Sequence, residues 1–162
     1  MMAKKVEVRT NHTHDDIVYL AGYIDGDGCF YAGKVKQGRY GTGYQFSIKL
    51  IVSGCDKISI DWMGETFGGN NEKQSRPAKN RPNDRIVYHW VATGELLDYL
   101  LPKIEPYLKN KKRQCQIMML MRETFANIGS QRLPMEIIEK RMELIKEIRA
   151  INSRFKGHPL KQ

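Results

Sequence analysis

Two aspartates separated by single glycines, in the segment Asp25-Gly26-Asp27-Gly28, are the residues whose types and spacing most clearly suggest chemistry. Carboxylate oxygens are the ligands that Mg²⁺ and Ca²⁺ prefer, and glycine lets another backbone or a ligand come close. The apolar run before Asp25 predicts a helix, so both acids would lie at its carboxyl end. Because negative side chains are unfavourable at that end of a helix dipole, their presence indicates a function.

Two plainer interpretations of the acidic segment compete with this one. An EF-hand calcium loop that began at Asp25 would need oxygen ligands at its fifth and twelfth positions, where this chain has Cys29 and Lys36. The calcium loop is therefore excluded. An ordinary acidic turn is the alternative that the residues leave open.

One helix must position these acids. The apolar residues that recur at helical spacing before them are Ile17, Leu20, Ala21 and Ile24. The residues that could cap the start of the helix are Thr13, Asp15 and Asp16. We expect the helix to end after Ile24, where the glycines begin.

Regular periodicity marks the remaining elements. Alternation predicts strands at 29–37 and 44–52, followed by a third and fourth strand around a Pro/Asn-rich turn between 70 and 90. Helical spacing predicts helices at 56–67, 94–108, 114–125 and 134–151. We expect a loose arm at 1–12 and a flexible basic tail at 152–162.

The first strand departs from simple alternation. Phe30 and Ala32 suit the core, but strict parity would then bury Lys34 and Lys36 with them. A bulge at Gly33 would shift the register by one residue and move both lysines to the polar face. We therefore predict that bulge.

Residues 20–28 resemble the signature of the LAGLIDADG homing endonucleases, with Tyr23 at a variable apolar position and Gly26 at a small one. The element order matches the family's αββαββα order over about 14–125. The resemblance implies an α+β fold with a saddle-shaped, antiparallel four-stranded sheet, to which this chain adds C-terminal helices. It also implies that residues 1–162 form a single endonuclease domain, with the C-terminal helix at about 134–151.

The resemblance also implies a mode of assembly. Signature helices of the family pack against each other through small residues, and members with a single copy work as homodimers. This chain carries one copy, so we expect a homodimer of the intron-encoded type. The expected interface residues are Leu20, Ala21, Gly22, Ile24 and Asp25.

The activity implied by the resemblance is site-specific, double-strand hydrolysis of DNA at a long pseudo-palindromic target, with Mg²⁺ or with Mn²⁺ in its place. Asp27 aligns with the metal-binding acid of the signature, and the carbonyl of Gly26 would supplement it. Asp25 would lie beside the twofold axis instead. Lys111 is similar in position to the family's active-site lysine, because it follows the Pro-aromatic-Leu pattern of residues 106–108.

One position departs from the family's pattern. Many members carry a glutamine at the end of the second strand, where it orders water near the metal. The corresponding place in this chain is Ser53-Gly54. Ser53 or Lys57 would have to compensate for the missing amide.

The charge balance favours a polyanionic partner. Lysine and arginine number 27 against 18 acids, which gives a net charge of +9 and favours nucleic acid over a membrane as that partner. Twisted antiparallel strands can present lysine, arginine, glutamine and similar side chains to base edges in the major groove. The candidates for DNA contact are Lys34, Lys36, Arg39, Gln45, Ser47, Lys49, Lys73, Arg76, Arg81, Arg85 and His89.

Composition narrows the remaining classes. Three widely separated cysteines argue against a disulfide framework and a structural zinc site. No apolar run approaches the ~20 residues of a membrane span, so we expect an intracellular, soluble protein without a membrane partner, in a compartment left open. The competing functions are an intron RNA maturase and a DNA-binding regulator that keeps the fold without cutting.

Overall fold

The computed structural model describes residues 6–36, 44–75, 85–126 and 133–155. The elements run in the order α1 (His14–Asp27), β1 (Gly28–Lys36), β2 (Tyr44–Gly54), α2 (Lys57–Phe67), β3 (Asn70–Ser75), β4 (Val87–Ala92), α3 (Gly94–Ile104), α4 (Lys112–Glu123) and α5 (Met135–Phe155). A short 3-10 helix, Glu105–Tyr107, joins α3 to α4. This order confirms the predicted α+β class.

The four strands form one antiparallel sheet in the order β1-β2-β4-β3. Alternate residues of β2 are buried beneath the helices, as predicted, and they are Phe46, Ile48, Leu50 and Val52. The residues between them belong to the opposite face of the sheet, which we call the open face. The side chains of the open face include Gln45, Ser47, Lys49, Ser53 and His89.

The bulge predicted at Gly33 is wrong. Pairing between β1 and β2 is unbroken from Gly28↔Val52 to Lys36↔Tyr44. Gly33 has another role, because a Cβ there would lie only 2.8 Å from Cζ of Tyr31, whose ring passes over it. Lys34 therefore belongs to the helix-covered face of β1. Its side chain is nevertheless exposed, because a long lysine side chain can extend past the core to water.

Helix α1 is longer than predicted. Thr13 caps its start through a reciprocal pair of hydrogen bonds with Asp16, and the helix continues through Asp27. Gly28 ends it, since its backbone is extended, with φ −79° and ψ 154°, and a Cβ there would approach the carbonyl of Ile24 within 2.8 Å. Both acids of the signature therefore lie in the last turn of α1 and directly precede the sheet.

The described part of the N-terminal arm is packed rather than loose. Val8 forms a β-bridge with Gly68, at the end of α2. The backbone N–H of Arg9 donates to Phe67 O at 3.0 Å, and the N–H of Gly69 donates to Glu7 O at 3.1 Å. Residues 6–9 thus extend the structure around α2.

Helix α5 packs on the core and continues to Phe155, so residues 152–155 of the predicted tail are helical. Residues 156–162 lie outside the described part. A buried charge, Arg141, was not foreseen on the inner face of α5: its guanidinium donates to Oγ1 and O of Thr124, both at 2.8 Å, and lies 3.8 Å from the Phe125 ring centroid. Within the described residues, no helix has the length and apolarity needed to cross a lipid bilayer.

Candidate active site

The carboxyl end of α1 meets the amino end of α4, and Asp25 joins them. Its Oδ2 accepts the backbone N–H groups of Lys109 at 2.6 Å and Asn110 at 3.2 Å, while Oδ1 accepts that of Lys111 at 3.0 Å. N–H groups at the start of a helix have no carbonyl partner of their own and carry the positive end of the dipole. The Asp25 carboxylate therefore accepts the N–H of Lys111, which caps the start of α4, and the two N–H groups of the loop before it.

Lys111 makes the reciprocal contact. Its Nζ donates to the carbonyls of Ile24 at 2.8 Å and Gly26 at 3.2 Å, so a cation lies at the negative end of the α1 dipole. Partial burial lowers the pKa of Lys111, an effect that the nearby Asp25, Cys29 and Asp27 oppose. The two helix ends are thus each neutralised by a side chain from the other element.

Asp27 is the acid that remains available. It is exposed in the last turn of α1, and within the described residues its carboxylate makes no hydrogen bond or ion pair. Its field still acts on Lys111. The two acids of the signature therefore differ in their contacts. Asp25 accepts backbone N–H groups, whereas Asp27 makes no hydrogen bond or ion pair within the described residues.

A polar pair lies on the open face near the end of β2. Val52 pairs with Gly28, the first residue of β1, so Ser53 is the first residue of β2 beyond that pairing. A 2.7 Å hydrogen bond joins Ser53 Oγ to Nδ1 of His89, its cross-strand neighbour on β4. Sequence reasoning named both residues but missed their pairing, because the register between β2 and β4 is not visible in either strand alone.

Lys57, the other residue predicted to compensate for the missing glutamine, has a different position. It forms an ion pair with Asp61, one turn further along α2, and this contact raises its pKa. Its ammonium is thereby held against its own helix. The role of Lys57 near the metal stays a prediction.

The expected interface residues are divided between core and surface. Leu20, Ala21 and Ile24 have no exposed surface within the subunit, so they form part of its core and cannot contact a partner. Asp25 is turned toward α4. Gly22 is exposed, and no atom lies within 4 Å of the place that a Cβ would take there. The neighbouring exposed apolar residues are Val18 and Tyr19, with 40% and 55% of their surfaces accessible.

The candidates for DNA contact differ in position. Those on the open face are Gln45, Ser47, Lys49 and His89, while Arg85 is exposed just before β4. Lys34 is exposed but alternates with the helix-covered face, and Lys36 and Lys73 belong to β1 and β3. The remaining candidates, Arg39, Arg76 and Arg81, lie outside the described residues.

The residues at the end of α1 fit a divalent cation that is bound by few protein ligands and several waters. In the described ranges no three His, Cys, Asp or Glu side chains cluster closely enough to enclose a metal. Mg²⁺ usually keeps several waters and takes one or two carboxylates from the protein. Asp27 can supply one carboxylate, and the carbonyl of Gly26 can add a further oxygen. The Lys111 ammonium on the Gly26 carbonyl acts as a stand-in, since it shows that this end of α1 accommodates positive charge.

Comparisons with known proteins found similarity in sequence and in fold. No family model matches the sequence. DNA endonuclease I-CvuI of Chlorella vulgaris is 27% identical over 128 residues, which cover 76% of this chain and 74% of that protein.

Three solved structures share the fold. A crystal structure of the homing endonuclease I-CvuI in complex with a DNA target has a TM-score of 0.67 at 20% identity and covers 84% of this chain and 81% of its own. The archaeal intron-encoded homing endonuclease I-Vdi141I complexed with DNA has a TM-score of 0.65 at 15% identity, covering 85% and 84%. The group I intron-encoded I-CeuI complexed with DNA has a TM-score of 0.66 at 15% identity, covering 90% and 69%.

Proposed function

We propose that the chain is a member of the LAGLIDADG homing endonuclease family and a site-specific endonuclease that cuts both strands of DNA. The observation that carries this proposal is the Asp27 carboxylate, exposed and unpaired within the described residues, beside Lys111 at the start of the sheet. The similar protein I-CvuI is a DNA endonuclease by name. A net charge of +9 suits a polyanionic substrate.

Asp27 and the Gly26 carbonyl would hold a divalent cation, Mg²⁺ or Mn²⁺ in its place. When bound, such an ion supplies an activated water and neutralises charge on the phosphate. Lys111 would donate a hydrogen bond to a phosphate oxygen as negative charge develops there. Ser53, paired with His89, would order water. Crystal structures of I-CvuI in complex with DNA were obtained in the presence of 2 mM Mg, with the DNA not cleaved, and in the presence of 2 mM Ca. Both are divalent ions of the kind proposed here.

The proposed enzyme is a homodimer that uses the exposed face of α1. Val18 and Tyr19 offer uncovered apolar surface there, and Gly22 leaves room for close approach by another backbone. A twofold axis along this face would bring the ends of two α1 helices together. One Asp27 from each subunit would then act at the centre, one for each DNA strand.

The open face would lie along the major groove and read the target. Lysine favours guanine edges and glutamine favours adenine, so Lys49 and Gln45 are suited to contact bases, with Ser47 and His89 beside them. Lys34, Lys36, Arg39, Lys73, Arg76, Arg81 and Arg85 complete the proposed set, as base or phosphate contacts. A dimer with twofold symmetry predicts a target of roughly palindromic half-sites.

The decisive experiment uses a plasmid in which the two DNA flanks of this coding element are joined without it. We expect the wild-type protein to make one double-strand cut when Mg²⁺ is present and none when the ion is chelated. Asp27→Asn keeps the size of the side chain but loses a charged ligand. It should lower the cutting rate by at least about 100-fold, more than changes to partners outside the metal ligands usually cost, while its DNA affinity stays within a few fold.

Asp98→Asn is the matched control, because Asp98 is also exposed but pairs with Arg122 on the surface of α3 and α4. It should cut at the wild-type rate. Binding of the joined flanks without cutting by the wild type would contradict the nuclease and favour the regulator. Binding to the intron transcript alone would favour the maturase.

A further inference from the structure

Lys111 already contacts one of the two groups proposed as metal ligands, the carbonyl oxygen of Gly26. Its Nζ is 3.2 Å from the Gly26 carbonyl and 2.8 Å from that of Ile24. Its backbone is fixed independently, because the N–H groups of residues 109–111 all donate to Asp25. The side chain can therefore leave these carbonyls by rotation about its own bonds, without movement of the loop.

Two cations cannot share the Gly26 carbonyl at close range. A divalent ion coordinated by that oxygen would lie within a few ångströms of the Lys111 ammonium, and like charges at such a distance repel strongly where water is partly excluded. Lysine has a flexible four-carbon stem and no acceptor atom, so its ammonium would move to another anionic or carbonyl oxygen. In a DNA complex a phosphate would supply that oxygen.

We propose that Lys111 is an internal counter-cation that occupies the metal position in the DNA-free protein and is displaced onto a DNA phosphate when the divalent ion binds. This inference rests on the proposed nuclease function and adds an order of events to it. Substrate phosphate and metal would favour each other's binding, because each stabilises the arrangement in which Lys111 has left α1. Metal bound without DNA would be weak for the same reason.

The test measures Mn²⁺ binding to the DNA-free, full-length protein by the loss of the free-ion EPR signal. Lys111→Met keeps the length of the side chain but removes its charge and donors. We expect this variant to bind Mn²⁺ roughly threefold to tenfold more tightly than the wild type. Lys109→Met is the matched control, since it removes the same charge from an exposed position of the same loop and should leave the Mn²⁺ affinity within about twofold, the small effect of a screened surface charge.

A second readout follows Lys111 itself in the wild type. When the lysine amines carry ¹³C-methyl labels, the NMR signal of Lys111 should shift as Mg²⁺ is added, and that of Lys109 should stay. The inference is overturned if Lys111→Met gains no affinity, if Lys109→Met gains as much, if neither variant binds Mn²⁺ measurably, or if the Lys111 signal does not respond.

These outcomes are separable from failure of the proposed function. A wild-type protein that cuts DNA with Mg²⁺, alongside a Lys111→Met variant without tighter Mn²⁺ binding, would overturn the counter-cation alone. The double variant Asp27→Asn with Lys111→Met should lose the gained affinity. If the double variant kept the higher Mn²⁺ affinity, the metal would bind away from Asp27, and the proposed active site would be contradicted as well.

Discussion

At the scale of single residues, the two acids of one short motif have different roles because their surroundings differ. Asp25 lies at the unfavourable end of the α1 dipole, but its carboxylate faces the favourable end of α4. Asp27 has no such compensation among the described residues. Sequence alone identified both acids and Lys111, but it could not identify the Asp25 contact, since that contact joins residues 84 to 86 positions apart.

Asp25→Asn tests the connection between α1 and α4. The amide keeps one acceptor oxygen but replaces the other with an N–H₂ group, which would face a backbone N–H donor. We expect the free energy of unfolding to fall by about 1 to 3 kcal/mol, the range for losing a hydrogen bond to a charged group, as measured by urea denaturation. Asp98→Asn, which removes one surface ion pair, should cost less than about 1 kcal/mol. Equal costs for the two variants would contradict a structural role for the three N–H contacts of Asp25.

At the scale of secondary structure, the sequence was sufficient where the signal is local. The order of helices and strands and the buried residues of β2 follow from periodicity within each segment. The predictions were wrong where contacts with another segment of the chain determine the local structure. The register at Gly33 depends on β2, and α1 extends past Ile24 because Gly28 and Lys111 both donate to its last carbonyls.

The junction of α2 and the N-terminal arm gives a prediction at this scale. Gly68 has φ 87° and ψ −148°, a conformation that is nearly confined to glycine, and a Cβ there would overlap the carbonyl oxygen of Glu7. Gly68→Ala should lower the free energy of unfolding by about 2 to 3 kcal/mol, since backbone strain and a steric clash both contribute. It should also expose the arm to proteolysis.

Gly94→Ala separates these two contributions. Gly94 has φ 55°, but a Cβ added to it would have no atom within 4 Å, so only the conformational cost of about 1 kcal/mol applies. Both variants are compared by urea denaturation. If Gly68→Ala were no more destabilised than Gly94→Ala, the contact with Glu7 would not constrain the arm.

At the scale of the whole molecule, α1 is apolar on two sides, and its sequence does not say which side meets the core. Leu20, Ala21 and Ile24 face inward, whereas Val18 and Gly22 are exposed. A helix that is apolar around most of its surface is typical of one that is buried on more than one side. The exposed side of α1 is therefore the surface that a second subunit would cover. The active site of the proposed dimer depends on that contact.

Gly22→Leu tests that dependence without disturbing the subunit. Leucine meets no atom within 4 Å at the Cβ position and is the better helix former by roughly 0.5 to 1 kcal/mol, so the folded subunit should be at least as stable as the wild type. In the proposed dimer the same side chain would hold two α1 helices apart and separate the two Asp27 carboxylates. We expect light scattering after gel filtration to report a dimer for the wild type and a folded monomer for Gly22→Leu, with loss of double-strand cutting. Glu139→Leu, an equally apolar change at an exposed position of α5, should leave both the dimer and the cutting intact. A Gly22→Leu protein that remains dimeric and active would place the subunit interface elsewhere.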